Sequence, residues 1–303
     1  MTNQTSFEIF DGKVVVLTGA SRGIGKAIAD ELIANNAKVV IGDILEKEGQ
    51  ETIDAFNKKA GSKVAAFIQT DVTKYKDNQN LFKLAESEFG GVDFAVLSAG
   101  IVHNANSTFS TMDDDIEEKI IDVNTTAVIK GTKVAILHMA KRGGGAIIHV
   151  ASVAGFVSSP IAPSYNASKH AIIGYTRSFT LMPNICNVRV NALCPFYVDT
   201  DLINVTSESK SEELNVYKNG INLYPRTPMS TVVDGALQLM ADNSKNTETW
   251  LSLPDGNVPM EKPSFQAPFI TNKTAEAVKK YYAESVIPNA KALLKEALER
   301  YDI

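Results

Sequence analysis

The sequence predicts a doubly wound α/β fold: a parallel seven-stranded sheet covered by helices on both faces, in one domain, with a helical extension at the carboxyl end. Three observations predict it. Short β-branched runs alternate with longer amphipathic stretches, the runs are almost continuously apolar, and a glycine-rich turn follows the first run directly. Parallel strands are covered on both faces, so they lose the polar alternation of a half-exposed strand.

Taken in order, the expected strands are Lys13 to Leu17, Lys38 to Gly42, Lys63 to Ile68, Val92 to Leu97, Ala146 to Val150 and Val188 to Leu193. A weaker run, Thr249 to Leu253, is expected as a seventh strand at the edge. Between Asp199 and Thr231 the pattern loosens into polar and turn residues with scattered bulky ones, Tyr217, Leu223 and Tyr224 among them, which reads as a substrate-side lid. From Pro254 to Pro268 prolines interrupt any regular element. Asn272 to Tyr301 then reads as one or two amphipathic helices broken at Pro288. The expected organisation is a dinucleotide-binding catalytic domain over residues 1–260, with the lid at 199–231, and an extension over 261–303.

Composition narrows the function classes. In 303 residues, 44% are apolar and 21% charged, as in an ordinary folded protein. A formal charge of −5 supplies no excess of cations for phosphates, so nucleic acid is not an expected partner. No stretch reaches the roughly eighteen apolar residues of a spanning helix, and MTNQTSFEIF lacks the pattern of a leader, so no membrane contact and a cytoplasmic location are expected. Cys186 and Cys194 fit no metal-ligand spacing and read as reduced thiols. Of the histidines His103, His138, His149 and His170, none stands at ligand spacing, so no metal site is predicted. The acidic run Asp113, Asp114, Asp115, Glu117 and Glu118 reads as a helix start favoured by the macrodipole.

The turn after the first strand is Thr18-Gly19-Ala20-Ser21-Arg22-Gly23-Ile24-Gly25, running into a helix-like stretch. Glycines there let backbone N–H groups and a helix N-terminus approach a pyrophosphate. Asp43, at the end of the second strand, stands where a carboxylate accepts hydrogen bonds from the adenosine ribose hydroxyls and repels a 2′-phosphate. Arg22 pulls the other way, because a guanidinium pairs with that phosphate. Asp43 is followed by Ile44 and Leu45 rather than a cation, which favours NAD.

Of nine tyrosines, only Tyr165 has a lysine four residues later, Lys169. That spacing puts both on one helix face, and a neighbouring ammonium favours phenolate, so Tyr165 is expected to have a lowered pKa and to serve as general acid or base. Such a pair arises easily by chance, but Ser152 closes the fifth strand shortly before it and Asn124 lies in a helix-like stretch upstream. All four are expected to converge at the carboxyl ends of the strands, where open α/β sheets bind ligands.

With those residues in place, the chain resembles a classical short-chain dehydrogenase/reductase over roughly Gly12 to Leu253. The motifs that carry the resemblance are TGASRGIG, Asp71-Val72, Ser98-Ala99-Gly100, Asn124, Ser152, Tyr165 with Lys169, and Cys194-Pro195 through Thr200. The resemblance implies the Rossmann sheet, with Tyr165 as acid/base and Ser152 orienting the carbonyl. It also implies that Lys169 lowers the tyrosine pKa and holds the nicotinamide ribose, while Asn124 positions a proton-relaying water. Asp71 and Val72 would flank the adenine, Val198 and Thr200 would contact the nicotinamide carboxamide, and Gly19, Ser21, Arg22, Gly23, Ile24, Gly25, Asp43, Ser98, Ala99, Gly100 and Pro195 would complete the cofactor site.

Within that family YNASKHAIIGYTRS and NVRVNALCPFYVDT are most similar to the NAD-dependent 15-hydroxyprostaglandin dehydrogenase branch. Three departures argue against a prostaglandin substrate. The usual Asn-Ala-Gly is Ser98-Ala99-Gly100, the usual glycine after Pro195 is Phe196, and Ala162 stands where that branch carries a substrate-holding glutamine. Ile101, Phe156, Val157, Ile161, Phe196 and Tyr197 fall in loops beside the site and suggest an apolar or aromatic alcohol or ketone, with His103 as one polar contact. The family's helix pairing implies a homodimer or homotetramer. Two other readings compete: an NADPH-dependent carbonyl or oxoacyl reductase, favoured by Arg22, and a non-catalytic NAD-sensing scaffold, which would not need Tyr165 or Lys169.

Overall fold

Neighbouring residues of the first apolar run feed two different cores. Val15 and Leu17 pack with Ile28, Leu32, Val39, Ile41 and Leu237, whereas Val14 and Val16 pack with Val40, Leu81, Phe82, Met139 and Ile147. This is the period of two that a strand imposes when both of its faces are covered. The fold is given by a computed structural model that describes residues 8–102, 112, 114–158, 162–204, 219–220, 222–262 and 271–303.

In chain order the elements begin with β1 (Val14–Thr18), α1 (Gly23–Ala34), β2 (Lys38–Asp43), α2 (Glu46–Ala60), β3 (Ala65–Gln69), α3 (Tyr75–Phe89) and β4 (Phe94–Leu97). They continue as α4 (Asp114–Ile121), α5 (Ala127–Arg142), β5 (Gly145–Val150), α6 (Pro163–Arg177), α7 (Met182–Cys186) and β6 (Val188–Pro195). The remainder is α8 (Asp201–Asn204), α9 (Met229–Ala241), β7 (Thr249–Leu253), β8 (Gly256–Pro259), α10 (Asn272–Tyr281) and α11 (Ile287–Arg300).

The sheet order is β3-β2-β1-β4-β5-β6-β7-β8. The seven strands expected from the sequence pair in parallel, each within a few residues of its expected limits. The chain reverses its direction of travel across the sheet between β1 and β4, and that switch point opens the crevice described below.

The structure departs from the sequence expectations in three places. Thr249–Leu253 is not the edge, because β8 pairs antiparallel outside it within the segment expected to be irregular. Pro259 is tolerated as the last residue of that outer strand, where a missing N–H costs no ladder bond. Of the segment 199–231, expected from the sequence to be irregular, the far end belongs to α9, which starts at Met229, and the near end carries the short helix α8.

Pro288 does not break the tail. It lies in the first turn of α11, and the five residues before that helix, Tyr282–Val286, form a π turn joining α10 to α11. A proline is compatible with the first turn of a helix, and the wider turn relieves the clash with the carbonyl four residues back. The α11 helix rests against α5 and α7. Tyr217, Ile161, His103, Asp113 and most of the lid lie outside the described residues.

Candidate active site

The cradle at the end of β1 is made by backbone. Gly19 has φ +65, and a Cβ there would stand 2.5 Å from Ala99 Cα at the end of β4, so only glycine lets the two strand ends close up. Gly23 has φ +62 and faces Thr200 across the crevice, a Cβ there lying 3.8 Å from its methyl. A Cβ on Gly25 would meet Gly19 O at 2.6 Å, which is how α1 packs tightly onto the turn. Ser98 N donates to Thr18 O at 3.2 Å and Ala99 N to Thr18 Oγ1 at 3.4 Å, holding the Ser98-Ala99-Gly100 segment beside the cradle.

Asp43 is buried, and its two oxygens accept from Ser21 N at 3.0 Å and Leu45 N at 3.1 Å. Each oxygen keeps lone pairs for a diol, so the carboxylate is pre-oriented at the ribose end. Ser21 Oγ is buried without a hydrogen-bond partner in the same turn. A turn with converging N–H groups, an orphan hydroxyl and a fixed carboxylate fits a dinucleotide. Asp71 is braced by Thr73, whose Oγ1 donates to its Oδ1 at 2.6 Å, and Val72 O accepts from Asn78 Nδ2 at 2.8 Å. Arg22 is already paired: its Nη1 lies 3.4 Å from Asp201 Oδ2 at the start of α8.

The second half of the site is made by side chains. α6 starts with Pro163 in its first turn and presents Tyr165 and Lys169 on one face, with Lys169 Nζ 5.6 Å from the Tyr165 ring centre. Lys169 Nζ donates to Val150 O at 3.1 Å, tying α6 to the end of β5. Ser152 leaves β5 with its hydroxyl beside the Tyr165 phenol, accepts from Ala154 N at 3.1 Å and donates to Pro195 O at 3.5 Å. Asn124 sits in the π turn Asp122–Thr126 between α4 and α5. Its Oδ1 accepts from Ile101 N at 2.8 Å, and its Nδ2 donates to Ile101 O at 2.9 Å and Ser168 Oγ at 3.1 Å. A Cβ on Gly100 would lie 3.3 Å from Asn124 Oδ1 and 3.6 Å from Lys169 Nζ, so these three positions adjoin.

The four expected catalytic positions are therefore brought together, but one electrostatic expectation is corrected. Tyr165 is not lowered. Burial pushes its phenol up to about 12, the Ser152 hydrogen bond opposes this, and the nearby Tyr197 phenol adds to it. The cause is the phenol's own low-dielectric surroundings, which also take Lys169 down to about 8, a weaker but still cationic ammonium at neutral pH. The Asn124 amide, expected to hold a water, is committed to Ile101 and Ser168.

Val198 is buried and Thr200 lies against the glycine turn, while Phe156 turns away to pack on the core with Arg177 over its ring at 5.4 Å. Two features were not legible in the sequence. One is the Arg22–Asp201 pair. The other is the meeting of Phe196 and Tyr197 with Tyr224, far along the chain, at ring-centre distances between 4.7 and 5.7 Å. Their only signal was bulky side chains in a polar stretch.

Among the described residues no group of three His, Cys, Asp or Glu gathers as metal ligands, and no helix is long and apolar enough to cross a membrane. His138 pairs with Glu86, His149 lies between Thr132 and Thr176, and both cysteines are free.

Residues 13–211 match the family model for short chain dehydrogenase. The chain is 33% identical over 248 residues to 15-hydroxyprostaglandin dehydrogenase [NAD(+)] of Macaca fascicularis, covering 78% of this chain and 89% of that protein. It is 36% identical over 196 residues to cis-4-hydroxycyclohexanecarboxylate dehydrogenase of Sinomonas cyclohexanicum, covering 65% and 77%. Among solved structures, levodione reductase superposes with a TM-score of 0.73 at 21% identity, covering 81% of this chain and 97% of that one, a likeness of fold.

Proposed function

The chain belongs to the short-chain dehydrogenase family, and on that premise we propose that it is an NAD(H)-dependent oxidoreductase acting on a secondary alcohol or the matching ketone. The observation that carries the reading is the placement of the Tyr165 phenol beside the Ser152 hydroxyl and Lys169, next to the glycine cradle. A sensing scaffold has no use for a buried acid in contact with an oxygen-orienting hydroxyl.

When bound, the nicotinamide dinucleotide supplies or accepts the hydride at the reacting carbon. In reduction, Ser152 Oγ donates to the ketone oxygen and orients it, and Tyr165 Oη delivers the proton that completes the alcohol. In oxidation Tyr165 takes the hydroxyl proton only in its phenolate form, after giving up its own proton. Because burial keeps the Tyr165 phenol protonated well above neutrality, the resting enzyme holds the donor form that ketone reduction needs. Lys169, anchored on Val150 O, is placed to hold the ribose hydroxyls. Gly19, Ser21, Gly23 and Gly25 would receive the pyrophosphate, Asp43 the adenosine ribose, Asp71 and Val72 the adenine, and Val198 and Thr200 the carboxamide.

Support for NAD over NADP is the buried Asp43 together with the engagement of Arg22 by Asp201, which leaves a 2′-phosphate a repelling carboxylate and an already-paired cation. Absorbance at 340 nm with NADH and NADPH, against secondary alcohols and ketones of graded size, tests this. Turnover with NADPH alone, or none with either, defeats it. The reading extends to the cytosol, where free thiols persist, and to a homodimer or homotetramer. The latter is supported by an exposed α6 face of Ala167, Ala171 and Gly174 and is checked by sedimentation.

A further inference from the structure

We propose that Phe196 sets the size limit of the substrate, its ring held by Tyr197 and Tyr224 as a fixed wall, so that the site takes uncharged ketones and secondary alcohols carrying one small and one flat apolar substituent. The proposal rests on the oxidoreductase reading above and names its substrate class.

Phe196 stands one peptide from the reacting group. Pro195 O, on the peptide that joins it, accepts from Ser152 Oγ at 3.5 Å, and Phe196 N donates to Ser252 O on β7 at 3.0 Å. The backbone is thus pinned from both sides. The ring is pinned as well: it meets Tyr197 edge-on at 4.7 Å and 64°, and Tyr224 edge-on at 5.7 Å and 86°. Tyr197 and Tyr224 complete the triangle at 5.3 Å and 31°.

Two further ties hold the triangle to the scaffold. Thr227 N donates to Tyr197 O at 2.7 Å, and Arg226 lies 5.9 Å from the Tyr197 ring while pairing with Asp199 at 3.0 Å. Edge-to-face contacts of this kind favour one ring placement, so the phenyl cannot swing aside cheaply for a bulky group. A wall that does not yield discriminates by roughly ten-fold or more per extra methylene.

Charge and shape give the other half of the class. Arg226, the cation of this wall among the described residues, is engaged by Asp199, so the wall offers a substrate carboxylate no ready counter-charge. Tyr224 is 53% exposed and so offers aromatic surface against which a flat ring can pack.

The test uses the full chain with NADH and the series acetophenone, propiophenone, butyrophenone and valerophenone. It measures kcat and KM for each ketone, and each ketone's equilibrium binding to the enzyme–NADH complex by NADH fluorescence. In the wild type kcat/KM should fall steeply with alkyl length. Phe196→Gly should flatten that dependence, raising the valerophenone-to-acetophenone ratio at least ten-fold, with the binding ratio following. Phe196→Leu, which keeps an apolar side chain, serves if the glycine variant does not fold. Tyr224→Ala, which loosens the wall without removing it, should raise the ratio by less than Phe196→Gly does. A ratio unchanged in a folded Phe196 variant overturns the size limit alone. A wild type that turns over no member of the series overturns the substrate assignment, and failure on every alcohol and ketone overturns the oxidoreductase reading beneath it.

Discussion

At the ends of β1 and β4 the crevice is shaped by what the chain leaves out, whereas at the ends of β5 and β6 it is shaped by what the chain puts in. Gly19 and Gly25 admit strand and helix at distances a Cβ would forbid, and Gly23 takes the left-handed backbone that a side chain disfavours. Ser152, Tyr165, Lys169 and Phe196 instead place side chains from separate elements around one point. The first kind of site is specified locally, by backbone conformation within a dozen residues. The second depends on β5, α6 and β6 being stacked in register, so a change in its surroundings alters its chemistry without altering its sequence. The Tyr165 phenol is the example, since its burial outweighs the neighbouring Ser152 hydroxyl and pushes it up to about 12.

The largest expected effect breaks the side-chain half alone. Tyr165→Phe keeps the ring and removes the proton, and should cost kcat about 10²- to 10⁴-fold while NADH binding, followed by fluorescence, stays within about three-fold. Loss of binding in step with kcat would mean that the two halves are not separable.

Next comes the specificity of the cradle. Asp43→Ser removes the carboxylate that opposes a 2′-phosphate, and the ratio of kcat/KM for NADH over NADPH should fall by about ten-fold or more, roughly 1.4 kcal/mol. An unchanged ratio would shift the selectivity to Arg22 and Asp201.

Gly19→Ala sharpens the comparison from the backbone side. With Ala99 Cα only 2.5 Å from the new methyl, the strand ends must part. The expected outcome is a loss of about 1–3 kcal/mol in stability and weaker NADH binding, read by thermal melting and titration. A melting temperature equal to wild type would show that the close approach is dispensable.

The smallest effect concerns pH. His149 is buried between Thr132 and Thr176, with ring-to-hydroxyl distances of 2.9 Å on both sides, and burial takes it down to about 3. An unfolded histidine titrates near 6.5. Between those values the unfolded chain binds a proton that the folded chain refuses, so this contribution is intact above about pH 6.5 and is lost as pH falls toward 3. Melting temperatures recorded from pH 7 to pH 5 should decline more steeply for wild type than for His149→Gln. Parallel slopes would sink the assignment.

The seven parallel strands could be read from the sequence because continuous apolar β-branched runs have few other uses. The cradle was legible because its glycines and Asp43 act through local geometry. The hairpin β7–β8 was not, since four residues with a terminal proline carry too little periodicity to announce a strand. Pro288 misled for a related reason: whether a proline stops a helix depends on the hydrogen-bond register of the turn before it.

By itself the sequence determined the layered sheet, the glycine turn at the end of β1 and the set of polar groups that meet at the strand ends, because each rests on periodicity or on backbone freedom that neighbouring residues encode. Tertiary structure alone decided the proton affinity of Tyr165, the engagement of the Asn124 amide and of Arg22, and the aromatic wall at Phe196. Those properties depend on burial and on contacts between residues far apart in the chain, as when Phe196 meets Tyr224, and no local pattern records which distant side chain will arrive.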